Sequence, residues 1–221
     1  IMEAIVKGKR KMSDWVRADC IGKMLLGILL IGMCVAAYRI SLFGVDAFSC
    51  MNLGISGFLG ISFGTWQLIM NAAVLIVVFF TVRENIGLGT IVNMVCVGYI
   101  ADLLCWIVLE VLGLKAGLFL RIVFMLIGTL FASFGCALYM EAHLGIAPYD
   151  SVAFVVTKVT KERISFRLAR VMSDVTVVCI GVIFCLAAHN PVGEILGLGT
   201  IVNAFCNGPL IQFFRGKITK R

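Results

Sequence analysis

Long apolar runs separated by short charged segments dominate the hydrophobic pattern of the chain. Six runs approach the ~20 residues that cross a bilayer as a helix. They cover residues 24–42, 65–82, 87–109, 117–140, 166–188 and 195–214. Two shorter apolar stretches, 48–62 and 149–159, have lengths more typical of re-entrant or interfacial segments. The pattern predicts an all-α polytopic membrane protein, a helical bundle with about six full spans plus two short or re-entrant helices, or eight spans if both short segments cross.

The composition excludes a soluble globular protein. Of the 221 residues, 61% are hydrophobic and 14% are charged, and the mean hydropathy is +1.06. A soluble domain carries about 25% charged residues because its surface must remain polar. We therefore expect most of the apolar side chains to face lipid.

The formal net charge of +7 arises from clusters of lysine and arginine beside the apolar runs. Such clusters are typical of cytoplasmic loops and tails of membrane proteins, and nucleic-acid binding is not expected. They predict a basic cytoplasmic segment at residues 1–19 and a cytoplasmic C-terminus. A third cluster predicts a cytoplasmic loop against anionic lipid headgroups; it contains Lys158, Lys161, Arg163 and Arg167.

An internal repeat is the most informative feature of the sequence. Residues 86–98 read IGLGTIVNMVCVG and residues 196–208 read LGLGTIVNAFCNG, with nine of thirteen positions identical. A weaker similarity relates residues 44–49 to residues 145–150. These matches predict two homologous membrane halves, residues 20–112 and 117–215, within one integral membrane domain.

Polar positions within the predicted spans also correspond between the halves. Gln67 and Asn71 match Arg170 and Asp174, and each pair lies on one helical face. In the same alignment Asp102 matches Gln212. Three spans per half would make the halves inverted, whereas four would make them parallel, and the sequence leaves this open.

Residues 145–150 resemble the G-x-x-P-W-D element of the YczE-like bacterial membrane proteins, which are distantly similar to the YitT group. The GLGTIVN helix start and the chain length are also similar to that family. Tyr149 stands where the family has tryptophan, and the first half lacks the proline and the aspartate. The resemblance implies a multi-pass protein of the bacterial cytoplasmic membrane without an assigned activity.

The two repeated helix starts supply candidate ligand contacts, because helix N-termini expose unsatisfied N–H groups that favour an anionic group. The candidates are Gly87, Gly89, Thr90, Gly197, Gly199 and Thr200. The alternative is close helix packing through small residues. Asn93 and Asn203, in the first turns of the same helices, would hydrogen-bond either a ligand or a neighbouring helix.

Two carboxylates within predicted spans are the strongest individual candidates. An isolated charge there costs at least ~2.5–3.5 kcal/mol, so Asp102 and Asp174 need a partner, a proton or a water-filled cavity. Arg170 lies one turn before Asp174 and is expected to pair with it. Both carboxylates are candidates for charge coupling, with a structural salt bridge as the alternative. Asp150 is expected to cap a helix that begins at Ser151 or Val152.

We find no catalytic motif and no metal-ligand spacing in the sequence, which predicts no enzyme, cofactor or metal site. The leading hypothesis is a small-molecule permease with its substrate between the two GLGTIVN helices, flanked by the polar pairs on the other helices. The alternative is a non-transporting scaffold or regulator of another enzyme or pathway. Membrane lipid is the expected partner, while self-association and a partner membrane protein are both left open.

Overall fold

The described part of the chain folds into α-helices connected by short turns. The computed structural model describes residues 2–218, with side chains except those of residues 2–17, 167 and 208. The helices are α1 (Met2–Ser41), α2 (Ala47–Leu59), α3 (Phe63–Thr81), α4 (Leu88–Trp106), α5 (Leu118–Glu141), α6 (Pro148–Val159), α7 (Phe166–Ala187) and α8 (Leu198–Ile218). The basic side chains predicted for residues 1–17, for Arg167 and for the tail after residue 218 lie outside the described part.

Five helices in the described part are long and apolar enough to cross a membrane, and the number rises to six with α8. The segment that contains α8 is bent by 45° between residues 207 and 209. Pro209 accounts for the bend, because proline lacks the amide hydrogen that a helix interior needs. A π-helical turn, Ile107–Val111, extends α4. The predicted polytopic helical membrane protein is confirmed.

The helix starts have ordinary local causes. Asp46 caps α2, since its Oδ1 accepts a hydrogen bond from the Ser49 amide at 3.0 Å. Ser62 and Ser165 cap α3 and α7 in the same way. Each capping residue lies at the end of a polar turn, and the apolar helix that follows it begins close to the predicted boundary.

The prediction that Asp150 caps α6 is wrong. The helix begins at Pro148, with Ala147 as the N-cap. Proline favours the first helical position because its fixed φ matches the helix and its missing N–H needs no partner there. Asp150 consequently lies inside the first turn, where its carboxylate is free to bind another helix.

Helices α1 and α5 cross in an antiparallel pair at the centre of the molecule. At the crossing, a Cβ on Gly27 would lie 2.8 Å from the Gly135 carbonyl oxygen, and a Cβ on Gly135 would lie 2.9 Å from that of Gly27. Toward one end of the pair, Arg121 near the start of α5 donates through Nε to the Ser41 carbonyl at the end of α1, at 2.7 Å. The start of one helix therefore lies beside the end of the other.

Each central helix has a parallel neighbour from its own part of the chain. Helix α4 packs beside α1, and α8 packs beside α5. The two short helices also pack against the other part of the chain: α2 lies mainly against α7, and α6 lies between α3 and α7. The two parts of the chain are thus interlocked through their short helices.

The starts of α4 and α8 each bind the turn that follows a central helix. The Gly89 amide donates to the Leu144 carbonyl at 2.7 Å, and the Ile146 amide donates to the Asn85 carbonyl at 2.9 Å. We call these residues the α5–α4 junction. It lies next to the end of α5.

The corresponding contacts occur at the start of α8. The Gly199 amide donates to the Phe43 carbonyl at 2.6 Å, and the Val45 amide donates to the Ile195 carbonyl at 3.2 Å. We call these residues the α1–α8 junction. Because α1 and α5 are antiparallel, the two junctions lie at opposite ends of the central pair.

Candidate binding site between the short helices

The first turns of α2 and α6 meet in the interior. The rings of Phe48 and Tyr149 stack with their centroids 4.4 Å apart and their planes 16° apart, and both side chains are buried. Trp66 and Met70 of α3 pack against this pair, together with Val177 of α7 and its neighbours. Four helices, two from each predicted half, therefore build this part of the core.

A group of polar side chains lies beside the stacked rings. Arg170 binds Asp150 through Nη1 at 2.7 Å and Asp174 through Nε at 3.3 Å. The Tyr149 hydroxyl donates to Asp174 at 2.5 Å. The Arg170 guanidinium also lies over the Tyr149 ring, 4.9 Å from its centroid. We call these four residues the charged cluster.

The predicted pairing of Arg170 with Asp174 is confirmed, and Asp150 is an additional partner from α6. Both carboxylates share a single guanidinium, so the cluster has an excess of negative charge. The side chains of Arg170, Asp150 and Asp174 retain 36%, 48% and 35% of their exposure. Since an uncompensated charge is costly at membrane depth, this exposure points to access by water or a ligand.

The other predicted polar pair lies on α3. Gln67 and Asn71 are both buried. The side-chain oxygen of Gln67 packs against Gly98 of α4, and it has no hydrogen-bond partner among the described residues. The structure thus directs Gln67 toward its own neighbour α4. Its predicted place beside Arg170 and Asp174 stays a prediction.

Asp102 has a different environment from Asp174. Its Oδ1 accepts from Arg39 Nη1 at 2.6 Å, and its Oδ2 accepts from the Gly64 amide at 2.6 Å. One carboxylate is therefore matched by one guanidinium and one backbone donor. This arrangement satisfies the charge and joins α1, α3 and α4.

At the predicted helix-start sites, backbone amides already donate hydrogen bonds to backbone carbonyls of other segments. Gly89 and Gly199 donate their amides to the turns that follow α5 and α1. The Thr90 hydroxyl accepts from the Gly87 amide at 3.1 Å and lies 2.8 Å from the Ile146 carbonyl. These hydrogen bonds leave fewer donors for an anion than the sequence suggested.

The same arrangement recurs in part at the second helix start. The Gly197 amide donates to the Thr200 hydroxyl at 3.3 Å. Asn93 and Asn203 are buried on α4 and α8, which begin at opposite ends of the α1–α5 pair. The structure therefore does not bring the two GLGTIVN starts together, and a ligand role for these residues stays a prediction.

Three participants were absent from the candidates that the sequence provided. Arg39 belonged to neither of the predicted polar pairs, Phe48 carries no polar group, and Tyr149 was noted only as the residue that stands where the family has tryptophan. A signal did exist for two of them, because Phe48 and Tyr149 occupy the same position in the weak similarity between residues 44–49 and 145–150. Two residues that stack on each other across the contact between related halves are expected to occupy the same position in each half.

A groove lies beside the Arg39–Asp102 pair. Its volume is about 640 Å³, and it is bounded by the ends of α1, α2, α4 and α7. Glu110 and Glu194 lie on its rim together with Trp106 and Asn190. Among the described residues, no group of three or more histidine, cysteine, aspartate or glutamate side chains is placed to hold a metal ion.

Comparison with known proteins finds uncharacterised relatives, one of which is described as a membrane protein. The chain is 26% identical over 197 residues to an uncharacterised protein of Haemophilus influenzae, covering 89% of this chain and 84% of the relative. It is 24% identical over 188 residues to the uncharacterised membrane protein YczE of Bacillus subtilis, covering 82% and 81%. It is also 23% identical over 190 residues to the uncharacterised protein YyaS of the same organism, covering 86% and 89%.

No solved structure matches the chain. A family model described as "Family of unknown function (DUF6198)" matches residues 20–216. The match covers all of the helices except the basic start of α1 and the end of α8. The resemblance to YczE-like proteins is confirmed, and the chain belongs to this family of membrane proteins of unknown function.

Proposed function

We propose that this protein is a small-molecule permease built from two inverted repeats, with its substrate site at the charged cluster. The observation that carries the proposal is the meeting of α2 and α6, one short helix from each half, beside ionisable side chains in the interior. Transporters with internal repeats bind substrates at such half-to-half contacts, which interrupted or short helices form.

The hydrogen bonds at the two junctions support the duplication. Each amide–carbonyl pair of the α5–α4 junction has a counterpart in the α1–α8 junction, at positions that the sequence alignment makes equivalent. Unrelated segments would have no reason to repeat both pairs. The halves therefore share local geometry as well as sequence.

The antiparallel packing of α1 and α5 supports inverted halves. If α1, α3, α4 and α5 cross the membrane and α2 does not, α5 is the fourth span and runs opposite to α1. If α2 also crossed, α5 would be the fifth span and would run parallel to α1. The contact between Arg121 and Ser41 fits the first count, so the proposal takes α2 and α6 as re-entrant.

The roles of the candidate residues follow from their partners. Arg170, Asp174 and Asp150 form the substrate and coupling site, with Gln67 and Asn71 as the neutral counterpart in the first half. Asp102 holds α3 and α4 together through Arg39. Gly87, Gly89 and Thr90, with their equivalents Gly197, Gly199 and Thr200, join the halves.

Membrane topology gives a first test. The proposal places both termini in the cytoplasm of a bacterial cell and the turn between α4 and α5 outside. A cysteine introduced in place of Lys115, with the native cysteines replaced, is expected to react with a membrane-impermeant maleimide in intact cells. Cysteine at Lys158 is the control and is expected to react only after permeabilisation. The reverse pattern would contradict the orientation.

Transport itself can be tested before the substrate is known. Proteoliposomes that contain the protein are incubated with a bacterial small-molecule extract, washed, and analysed by mass spectrometry. We expect at least one compound to accumulate with the wild type and to fall about tenfold or more in Arg170→Ala, because Arg170 binds both Asp150 and Asp174 and holds the two carboxylates in place. Lys158→Ala, which removes an exposed cation from α6, is expected to retain accumulation.

Two results would favour the scaffold hypothesis instead. One is equal accumulation in wild-type, Arg170→Ala and protein-free vesicles. The other is a membrane enzyme that co-purifies in mild detergent in a fixed ratio and whose activity depends on this protein.

A further inference from the structure

We infer that the charged cluster binds an organic cation with several N–H donors, such as a primary ammonium or a guanidinium, rather than an anion. This inference gives the substrate class of the proposed permease site and rests on that site. Binding can nevertheless be measured without transport, which separates the two claims.

The balance of charge excludes an anion as the preferred ligand. Arg170 is the cation of the cluster, and it already binds both Asp150 and Asp174. An added anion would face these carboxylates, whereas an added cation would offset their excess charge.

The carboxylates have acceptor capacity for such a ligand. Each ionised carboxylate accepts about four hydrogen bonds. Asp174 accepts one from Tyr149 and one from Arg170. Asp150 accepts from Arg170 through Oδ1, and its side chain is 48% exposed, so its second oxygen can receive an N–H donor.

Tyr139 supplies an independent indication of a missing ligand. This residue of α5 is 5% exposed, and its hydroxyl has no hydrogen-bond partner among the described residues. It lies within electrostatic range of Asp150. A buried hydroxyl without a partner is unfavourable, and a ligand N–H bound to Asp150 would provide one.

Hydrogen bonding, rather than aromatic contact, sets the choice of cation. The Arg170 guanidinium lies over one face of the Tyr149 ring at 4.9 Å, and Phe48 covers the other face, so the ring offers a ligand no further cation–π contact. Hydrogen bonding to the carboxylates selects cations that carry N–H groups.

The test measures unfolding temperature of the full chain in detergent with three chloride salts at equal ionic strength. Methylguanidinium carries N–H donors, tetramethylammonium carries none, and sodium reports charge screening alone. We expect a saturable increase in Tm with methylguanidinium, since a ligand that binds only the folded state stabilises it. Tetramethylammonium and sodium are expected to give no saturable increase.

Variants assign the effect to the cluster. Asp150→Asn and Asp174→Asn are expected to weaken the apparent methylguanidinium affinity about tenfold or more, because each removes a charge-assisted acceptor. Tyr139→Phe is expected to weaken it about three- to tenfold, the contribution of one hydrogen bond. Asp102→Asn is the matched carboxylate control and is expected to keep the affinity of the wild type.

Tyr139→Phe also guards against failure of folding, because it removes a hydroxyl that has no partner and leaves the ring in place. The inference is overturned if sodium or tetramethylammonium stabilises as much as methylguanidinium, if sodium sulfate stabilises more, or if Asp102→Asn and Asp150→Asn lose affinity equally. Binding without accumulation in proteoliposomes would refute transport and leave the cation site standing.

Discussion

The two proposed halves of the molecule have corresponding junctions but differ in how their last two helices meet. In the first half, α3 packs closely along α4. In the second half, the described residues of α7 and α8 scarcely contact one another. The difference separates the contacts that recur in both proposed halves from those that occur in one half alone.

In the first half, small residues and a paired carboxylate hold α3 against α4. A Cβ on Gly98 would lie 2.7 Å from the Gly64 Cα, so only glycine permits this approach of α3 to α4. Asp102 then bridges the Gly64 amide and Arg39. We call the Arg39–Asp102–Gly64 group the α3–α4 clasp.

The second half lacks the residues of the clasp. The positions equivalent to Arg39, Gly64 and Asp102 carry Met140, Arg167 and Gln212. An arginine cannot take the place of the glycine in a close helix contact. The charged cluster lies in this less closely packed half, where its side chains keep about a third to a half of their exposure.

In the proposed inverted repeat, this contrast would correspond to one state of an alternating-access cycle, with the first half held by the clasp and the second half packed less closely. Exchange between the two arrangements would require α3 to leave α4, and hence the clasp to open. The strength of the clasp then sets how readily the protein leaves the state seen here.

The largest expected loss of stability is at the junction glycines, which both halves share. Gly44 and Gly145 have φ of +92° and +114°, and a Cβ on either would overlap the start of the opposing helix. Gly44→Ala and Gly145→Ala are each expected to lower the free energy of unfolding by about 2–5 kcal/mol, from backbone strain and overpacking together. Titration with a denaturing detergent measures both.

Gly60→Ala separates the two causes. Gly60 has φ of +67° and open space around its Cβ position, so this variant is expected to show only the strain, about 1–2 kcal/mol. A large loss for one junction glycine and none for the other would show that the junctions are not equivalent, and would break the comparison between the halves.

The clasp gives the next effect. Arg39→Met leaves Asp102 without its cation, and we expect a loss of about 2–3 kcal/mol, below the value for a fully buried pair because the two side chains are 23% and 22% exposed. The double variant Arg39→Met with Asp102→Gln places the second-half residues in the first half. It is expected to regain stability to within about 1 kcal/mol of wild type, since no charge is left unpaired.

Spin labels on α3 and α4 report whether the clasp is also a gate. The double variant is expected to broaden the α3–α4 distance distribution although the protein stays folded. A distribution identical to that of the wild type would mean that Gly64 and Gly98 hold the helices together without the clasp's charges.

Much of the fold could be predicted because hydrophobic length is a local property. The predicted segment 149–159 and α6, Pro148–Val159, differ by one residue, and the other boundaries lie within a few residues except at the basic start of α1. Asp150 illustrates the limit. Pro148 is itself a local signal for the first helical position, but the preference of aspartate for caps was ranked above it, so a capping residue was assigned where the structure has an inter-helix ion pair.

The contacts between polar side chains were harder to predict because most of the partners are distant in sequence. Arg170 and Asp174 were found together since one helical turn separates them. Arg39 and Asp102 were not, because sixty-three positions separate them and no local pattern links the end of α1 to the middle of α4. The repeat indicated that corresponding residues matter, but the contacts between halves depend on the interlocking of α2 with α7 and α6 with α3.

The smallest effect is expected at an ion pair that joins the halves at the surface. Lys158 lies 3.6 Å from Glu84, and their side chains are 57% and 67% exposed. A hydrogen bond from the Glu84 amide, and then Lys158, lower the pKa of the Glu84 carboxyl below its usual 4.5. Any stabilisation of the fold by this pair is therefore present at neutral pH and is lost as the pH falls through the lowered pKa. Since solvent screens such pairs, Glu84→Gln is expected to leave Tm at neutral pH unchanged within error.

Glu141→Gln is the matched comparison, because Glu141 is only 14% exposed in its pair with Arg215, and it is expected to lower Tm measurably. A loss in Glu84→Gln as large as in Arg39→Met would mean that an exposed ion pair between the halves stabilises the protein as much as the clasp does, which would contradict the ranking proposed here.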